Sequence, residues 1–511
     1  MPAMEIGDQE SQWDQAQARL QALDQYVCAA VGTAELHEVE HGVFRRVQEL
    51  GRLMMERFVA QSGTGYTPHR PPCMLSGEPL AYKGIETVDY LSIFGLVRLP
   101  RAAYAQPDGG YEYPMDAQWN RPAHKYSYLL QKWLHGVAVE DDYHEAAERL
   151  NEIFALSLTG NVPQRLGEGV AAHVAPYYEQ ADVPPAGTEG SHLGISADGQ
   201  GVRILRREQG DLGADAPPAK ARLGKGEKPG TKKEAVVTAD FTFDPEPRDP
   251  EELVRALMKR QTAAEREDAR RQRRARREDG LPPARAALNK HERATLMGKE
   301  QAFDDLMHRV RRRDPLGIRP VVALLDGDPA LEDMLERQLQ AHGLSDRVDA
   351  RILDLWHASE YVWDAGTALH GESSRQREPW VEAKLRALLQ GQVGRVIGDL
   401  KQIAGKNRLS AAQDKAVDKA ITYFTNHRHM MDYATYLAKG YPIGTGLIEG
   451  ACGCLVRDRM QCSGMRWGVA GAQAMLQQRA VKLNGDWHDF WSYYSDSERD
   501  RLYPVTYKLA A

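Results

Sequence analysis

The segment that most restricts the fold is Pro320-Val321-Val322-Ala323-Leu324-Leu325, a run without one polar side chain that stops on Asp326. A half-exposed strand alternates apolar and polar residues. A short continuous apolar run reads instead as a strand covered on both faces, central in a largely parallel sheet flanked by helices. A helical pattern follows, and residues 348–353 offer another strand. Strands are also expected within residues 192–205 and 235–243, whereas nearly everything from Trp356 to residue 490 has helical periodicity.

Three acids stand out by their place on these elements. Asp198 falls in the middle of the strand around Ile195-Ser196-Ala197. Asp326 sits at the carboxyl end of the buried strand, where open α/β sheets place their ligands. A carboxylate there meets a desolvation cost unless a cation or hydrogen-bond donors compensate it. Glu449 lies in Gly444-Thr445-Gly446-Leu447-Ile448-Glu449, in a first helical turn that Thr445 is placed to cap, with Ile448, Cys452, Leu455 and Val456 on the apolar face. The acids are 128 (326 − 198) and 123 (449 − 326) residues apart. Two strand-borne aspartates and a helix-borne glutamate can converge at one sheet edge, the arrangement that holds two divalent ions for phosphodiester chemistry. Ordinary explanations exist for each: Asp-Gly pairs are common in turns, and a first-turn glutamate suits the helix dipole. Asp328 and Asp354 compete, although Asp328 before Pro329 reads better as a helix cap.

The rest of the chain fits a multidomain protein. Its 511 residues imply two to four domains. Residues 1–60 read as helical, 61–125 as a small β domain, and 126–185 as a helical region with a helix-turn-helix-like break at Thr159-Gly160-Asn161. A plain helical hairpin would give the same pattern. Residues 251–278 read as one long charged helix carrying Arg270, Arg271, Arg273, Arg274, Arg276 and Arg277, and 491–511 as a tail. Five cysteines with no C-x-x-C pair argue against a disulfide framework and a four-cysteine zinc site. No stretch suits a membrane span, and the acidic beginning lacks the apolar core of a secretory signal, so a cytoplasmic location is expected. The net charge of −6 counts mildly against a nucleic-acid partner, but clustered cations set the local field.

The strings ISADGQGV, RLGKGEKPGTKKEAVV, VVALLDGDPAL, ILDLWHASEYVWDAGTALHGE, ITYFTNHRHMMDY, YPIGTGLIEGACGCLVRDRM and SGMRWGVAGAQAMLQQRAVKLNGDW follow one another in this order. Together they resemble the DDE transposases of bacterial insertion sequences, ISKra-type family, over about residues 190–490 and more weakly before. The resemblance implies an α+β, ribonuclease-H-like mixed-sheet core (186–365), a helical insertion (366–440), and a core helix with the third acid (441–490). It implies Mg²⁺ or Mn²⁺, two ions, held by Asp198, Asp326 and Glu449, with His357 in support. Double-stranded DNA, as element ends and target, is the implied partner, with a homodimer or higher oligomer on DNA and a bacterial, nucleoid-associated setting. Relatives often carry a zinc ribbon with two C-x-x-C pairs. Here only Cys73 remains, and Gln106-Pro107-Asp108-Gly109-Gly110 stands where the second pair would be. No zinc is expected there, and the DNA-binding role of this region is open.

Arg457, Arg459 and Arg466 are candidates for the DNA backbone, and Trp467 for stacking on a base, with a buried core tryptophan as the ordinary alternative. Lys225, Lys228, Lys232 and Lys233 lie in a Gly- and Pro-containing basic stretch that reads as an arm on DNA. His37-Glu38-Val39-Glu40-His41 matches the H-E-x-x-H zinc-protease pattern without a third ligand and is set aside. No G-x-x-x-x-G-K-[ST] occurs, so ATP-driven chemistry lacks support, and metal binding by His427/His429 or Cys452/Cys454/Cys462 is also set aside. The expected activity is metal-dependent cleavage at element ends and strand transfer. A nuclease of the same fold and a catalytically silent, transposase-derived DNA-binding protein are the alternatives.

Overall fold

The computed structural model describes residues 6–504 except 69–70, 73–76, 107–108, 206–207, 209–231, 261, 263–266, 269, 272–273, 276–277, 279–286 and 407–408. The chain divides into two compact units, residues 1–180 with 485–511, and residues 181–484.

In the first unit two helices, Ile6–Ala30 and Leu36–Ser62, precede a hairpin of β1 (Ala81–Ser92) and β2 (Gly95–Ala105), which the two-residue β3 (Tyr111–Glu112) extends. Gly95 turns the hairpin at φ 110°, a backbone angle that disfavours any side chain. Ser127 and Asp142 cap the helices Tyr128–Ala138 and Tyr143–Phe154 through their side-chain oxygens. Leu130, Leu134, Leu150 and Leu166 share one buried cluster there. The helices Tyr143–Phe154 and Asn161–Ala171 form a hairpin, with residues 155–160 between them and Ala155 in the left-handed region. Residues 491–502, expected as part of a tail, are helical. The helix Trp487–Leu502 buries Phe490, Trp491 and Tyr494, because its aromatics repeat at helical spacing.

The second unit is built on a five-stranded mixed sheet in the order β6 (Leu288–Thr295), β5 (Lys232–Phe243), β4 (His192–Arg203), β7 (Val321–Leu325) and β8 (Val348–Leu353). β4 pairs antiparallel with β5 and β5 with β6, while β4–β7 and β7–β8 are parallel. All five residues of β7 are buried, as its apolar sequence requires. Removing side chains such as Leu324 and Leu325 from water contributes about 2 kcal/mol each. The helix Lys299–Arg313 buries Phe303, Leu306, Met307 and Val310, and the helix Pro329–Ala341 buries Leu331, Leu335 and Leu339, in the same core. Asp328 caps the latter helix by accepting the Ala330 N–H at 2.7 Å, with Pro329 in the first turn.

The long charged helix expected over 251–278 is a correction. The helix Pro250–Leu257 stops there, Lys259 takes a positive φ of 55°, and Arg260 turns to pair with Glu378 and Glu382. Among the described residues beyond it, Arg271 and Arg274 are exposed and paired with Asp268 and Glu278. No helix among the described residues is long and apolar enough to cross a membrane.

Candidate active site

Strand register delivers the acids. β4 and β7 pair in parallel from Leu193↔Val321 to Ser196↔Leu324, and two further residues along each strand stand Asp198 and Asp326. β7 and β8 pair up to Leu325↔Leu353, so Asp354 follows β8 as Asp326 follows β7. The Asp354 N–H donates to the Leu325 carbonyl at 2.8 Å, which ties the two strand ends together.

Each aspartate is then fixed by its surroundings. Asp326 accepts the Asp328 N–H at 2.9 Å, and its carbonyl accepts the Tyr423 hydroxyl at 2.8 Å. Gly327 follows at φ 93°, where a Cβ would also meet Leu353 and Tyr423 at 2.9 Å, so the strand can turn only at a glycine. Asp198 accepts the Cys452 thiol at 3.2 Å. Asp354, wholly buried, accepts the Trp356 N–H at 2.8 Å and so caps the helix Leu355–His370.

That helix carries His357 in its first turn. Its Nδ1 lies 3.3 Å from Asp354 and 3.9 Å from Glu449. Glu449 is on the short helix Gly446–Ala451. Thr445 precedes this helix, but its hydroxyl does not cap it. Instead Oγ1 bonds to Asp354 Oδ2 and lies 3.2 Å from Glu449 Oε1. A buried carboxylate needs a donor more than an exposed helix end does. After Ala451 the helix widens to a π-helical turn, Cys452–Arg457, which keeps Cys452, Leu455 and Val456 buried.

The electrostatics separate these acids. Burial pushes the Asp326 carboxyl above its usual range; the Asp328 N–H opposes this and the charge of Asp198 adds to it. Burial, then the charge of Asp354, raises Glu449. Burial would also raise Asp354, but hydrogen bonds from His357, Thr445 and the Trp356 N–H more than offset it and hold it low. The hydrogen bond to Asp354 raises His357 to about 9, so its imidazole is a cation at neutral pH. Burial and the neighbouring Asp198 push the Cys452 thiol far up, leaving it a hydrogen-bond donor. Among the described residues, no lysine or arginine forms an ion pair with Asp198, Asp326 or Glu449. Carboxylate oxygens without a lysine or arginine partner are donors of the kind a hard divalent ion takes.

At this site the ligand atoms that lie within 4.8 Å of one another belong to Asp354, His357 and Glu449. No group of three containing Asp198 or Asp326 converges so closely among the described residues. Asp354, a competitor in the sequence, also directly follows a strand, although that strand carries Asp349 and Arg351 and so marks its end less clearly than the wholly apolar β7 marks Asp326. Thr445, Cys452 and Tyr423 carried no such signal, since their polar atoms find these partners only through tertiary packing.

The proposed DNA contacts divide. Arg457 and Arg466 are exposed, as is Lys232, and Lys233 is half-buried; both lysines open β5. Lys225 and Lys228 lie outside the described residues. Arg459 and Trp467 are buried at 1% and 7% exposure and do not face solvent. The Arg459 guanidinium stands 4.8 Å from the centre of the Trp467 ring, and the indole N–H donates to the Met460 carbonyl at 3.1 Å. Backbone bonds to Arg203 and Leu205 pin Trp467 against the end of β4. Packing a large apolar ring, with a partner for its N–H, outweighs holding it ready for a base. His427 is buried with Nδ1 2.8 Å from the Tyr423 carbonyl, and exposed His429 pairs with Glu332. No protein-family model matches the chain, and no curated protein matches it.

Proposed function

We propose that the chain is a DDE-type transposase with a ribonuclease-H-like core, cutting the ends of a bacterial insertion sequence and joining them to target DNA. The observation that carries this reading is the parallel β4–β7 pairing, which puts Asp198, midway along β4, level with Asp326 at the end of β7, with Glu449 beside His357. The strand order β6-β5-β4-β7-β8, antiparallel up to β4 and parallel beyond, also supports it. Asp198, Asp326 and Glu449 would hold Mg²⁺ or Mn²⁺, which when bound activate the attacking oxygen of phosphodiester cleavage and stabilise the leaving one.

The remaining groups act on this set. Asp354 keeps His357 charged and oriented, which sets a positive donor beside the acids for a non-bridging phosphate oxygen. Thr445 restrains the Glu449 carboxylate, and the Cys452 thiol orients Asp198. Arg457, Arg466 and Lys232, all exposed, would contact the DNA backbone, where local cations matter more than the net charge of −6. Two DNA ends must meet for joining, so a dimer or larger assembly on DNA belongs to the proposal. A DNA-binding role for residues 126–185, a zinc-free ribbon-like hairpin and a cytoplasmic, nucleoid-associated setting belong to it as well.

Incubation of the protein with labelled duplexes bearing the flanking element ends and a supercoiled target tests the reading. Products in which an element 3′ end is joined to target DNA are expected with Mg²⁺ or Mn²⁺. Cleavage without joining would point to a nuclease, and binding without cleavage to a silent DNA-binding protein.

A further inference from the structure

A second cluster of ligating side chains lies away from these acids. Asp304 and His308 stand one turn apart on the helix Lys299–Arg313, spacing that puts both on the same face. The third member, His342, ends the helix Pro329–Ala341. That helix has 13 residues and so runs about 20 Å, which separates His342 from the strand end holding Asp326. The backbone around His342 is firmly set: its N–H donates to the Gln338 carbonyl at 3.0 Å, and Leu344 N–H to Leu339 at 2.8 Å. Gly343 supplies the left-handed φ of 65° that this helix end requires.

His342 Nε2 lies 2.8 Å from one Asp304 oxygen and His308 Nε2 3.7 Å from the other, with the two rings edge to face at 4.9 Å. One ligand atom from each residue lies within 4.8 Å of the other two. Three donors around one zinc ion sit about 3.3 Å apart. The His308 side chain is 66% exposed, which leaves it room to rotate toward the other two. His342 is 9% exposed and already held against Asp304, so its orientation is set before any ion arrives.

We propose that Asp304, His308 and His342 form a binding site for a transition-metal ion of the Zn²⁺ class, with water in the open position. Two imidazole nitrogens and one carboxylate favour such ions over Mg²⁺ or Ca²⁺, which take oxygen donors. The ion clamps the helix that precedes β7 to the helix that follows it. The inference does not rest on the transposase reading, and a failure of DNA cleavage leaves it untouched.

Equilibrium dialysis of the full chain with Zn²⁺ in excess Mg²⁺, alongside Co²⁺ absorption spectra, tests the site. His308→Ala is expected to bind one Zn²⁺ ion fewer per chain than wild type. His342→Gln, which retains a hydrogen bond to Asp304, is expected to weaken that ion at least tenfold. Zn²⁺ should raise the melting temperature of wild type but not of His308→Ala, whose exposed position leaves folding intact. Equal binding by wild type and the His308→Ala/His342→Gln double variant would overturn the proposal, as would no binding by wild type. A loss of stability in His342→Gln that Zn²⁺ does not influence would show the histidine to be only a hydrogen-bonded brace between helices.

Discussion

Thr445 has one hydroxyl within reach of two carboxylates, Asp354 and Glu449, and it can donate to only one at a time. It therefore divides a scarce donor between a fully buried acid and an exposed one, and it restrains the glutamate whichever it serves. Thr445→Val keeps the shape and removes the donor. The expected result is a fall of roughly 10–100-fold in cleavage rate, the usual cost of losing a partner behind a metal ligand. Thr445→Ser should recover most of it, and similar rates in all three proteins would sink the role. Asp326 was legible because an apolar run ended on it, and Glu449 because it fell in a first helical turn. Thr445 read as a cap, the ordinary use of threonine at a helix start, and only the depth of Asp354 redirects its hydroxyl. Trp467 and Arg459 illustrate the reverse: their residue types suit DNA, but their positions are spent on packing.

Between elements, the sheet is fastened to the helix Lys299–Arg313 by charge. Asp240 on β5 is buried and pairs with Arg309 at 2.7 Å and Arg313 at 3.0 Å, and Arg313 also holds Glu189. Burial would raise Asp240 and Glu189, but the arginines hold both below their ordinary values. Their contribution is complete above pH 3.8 and 4.5 respectively and is lost as pH falls through the depressed folded values. His291 on β6 is driven well below 6.5, first by burial and then by neighbouring arginines, despite the opposing charge of Asp240. The unfolded chain takes up its proton below pH 6.5 while the folded one does not, so stability falls as pH drops from there. Urea unfolding of His291→Gln should show a flatter pH dependence just below 6.5 than wild type; an unchanged slope would refute this account. Asp240→Ala removes one partner from each arginine, while Arg309 keeps Asp305 and Arg313 keeps Glu189, and should cost about 1–3 kcal/mol. β7 was legible because its apolar run admits one reading. Residues 251–278 misled because a charged periodic stretch does not reveal a break; the positive φ of Lys259 and the pairing of Arg260 with the Arg377–Leu389 helix set it. The helix Trp487–Leu502 went unread because its start fell at the edge of the expected core and its aromatics were not weighed.

At the scale of the whole chain, the carboxylates all fall within residues 181–484, and residues 1–180 with 485–511 have a separate core. Binding of Mn²⁺ should therefore be local. Hydrogen exchange is expected to slow in peptides spanning 196–200, 324–328, 354–358 and 446–452, with residues 6–180 unchanged; protection confined to the first unit would contradict the assignment. The central claim is that these acids perform phosphodiester chemistry, and single-turnover cleavage of a labelled element end by wild type and Asp326→Asn tests it most directly. The account predicts Mg²⁺-dependent cleavage by wild type and a loss of at least roughly a thousandfold in the variant, with its fold intact. Equal cleavage by the two proteins would contradict it.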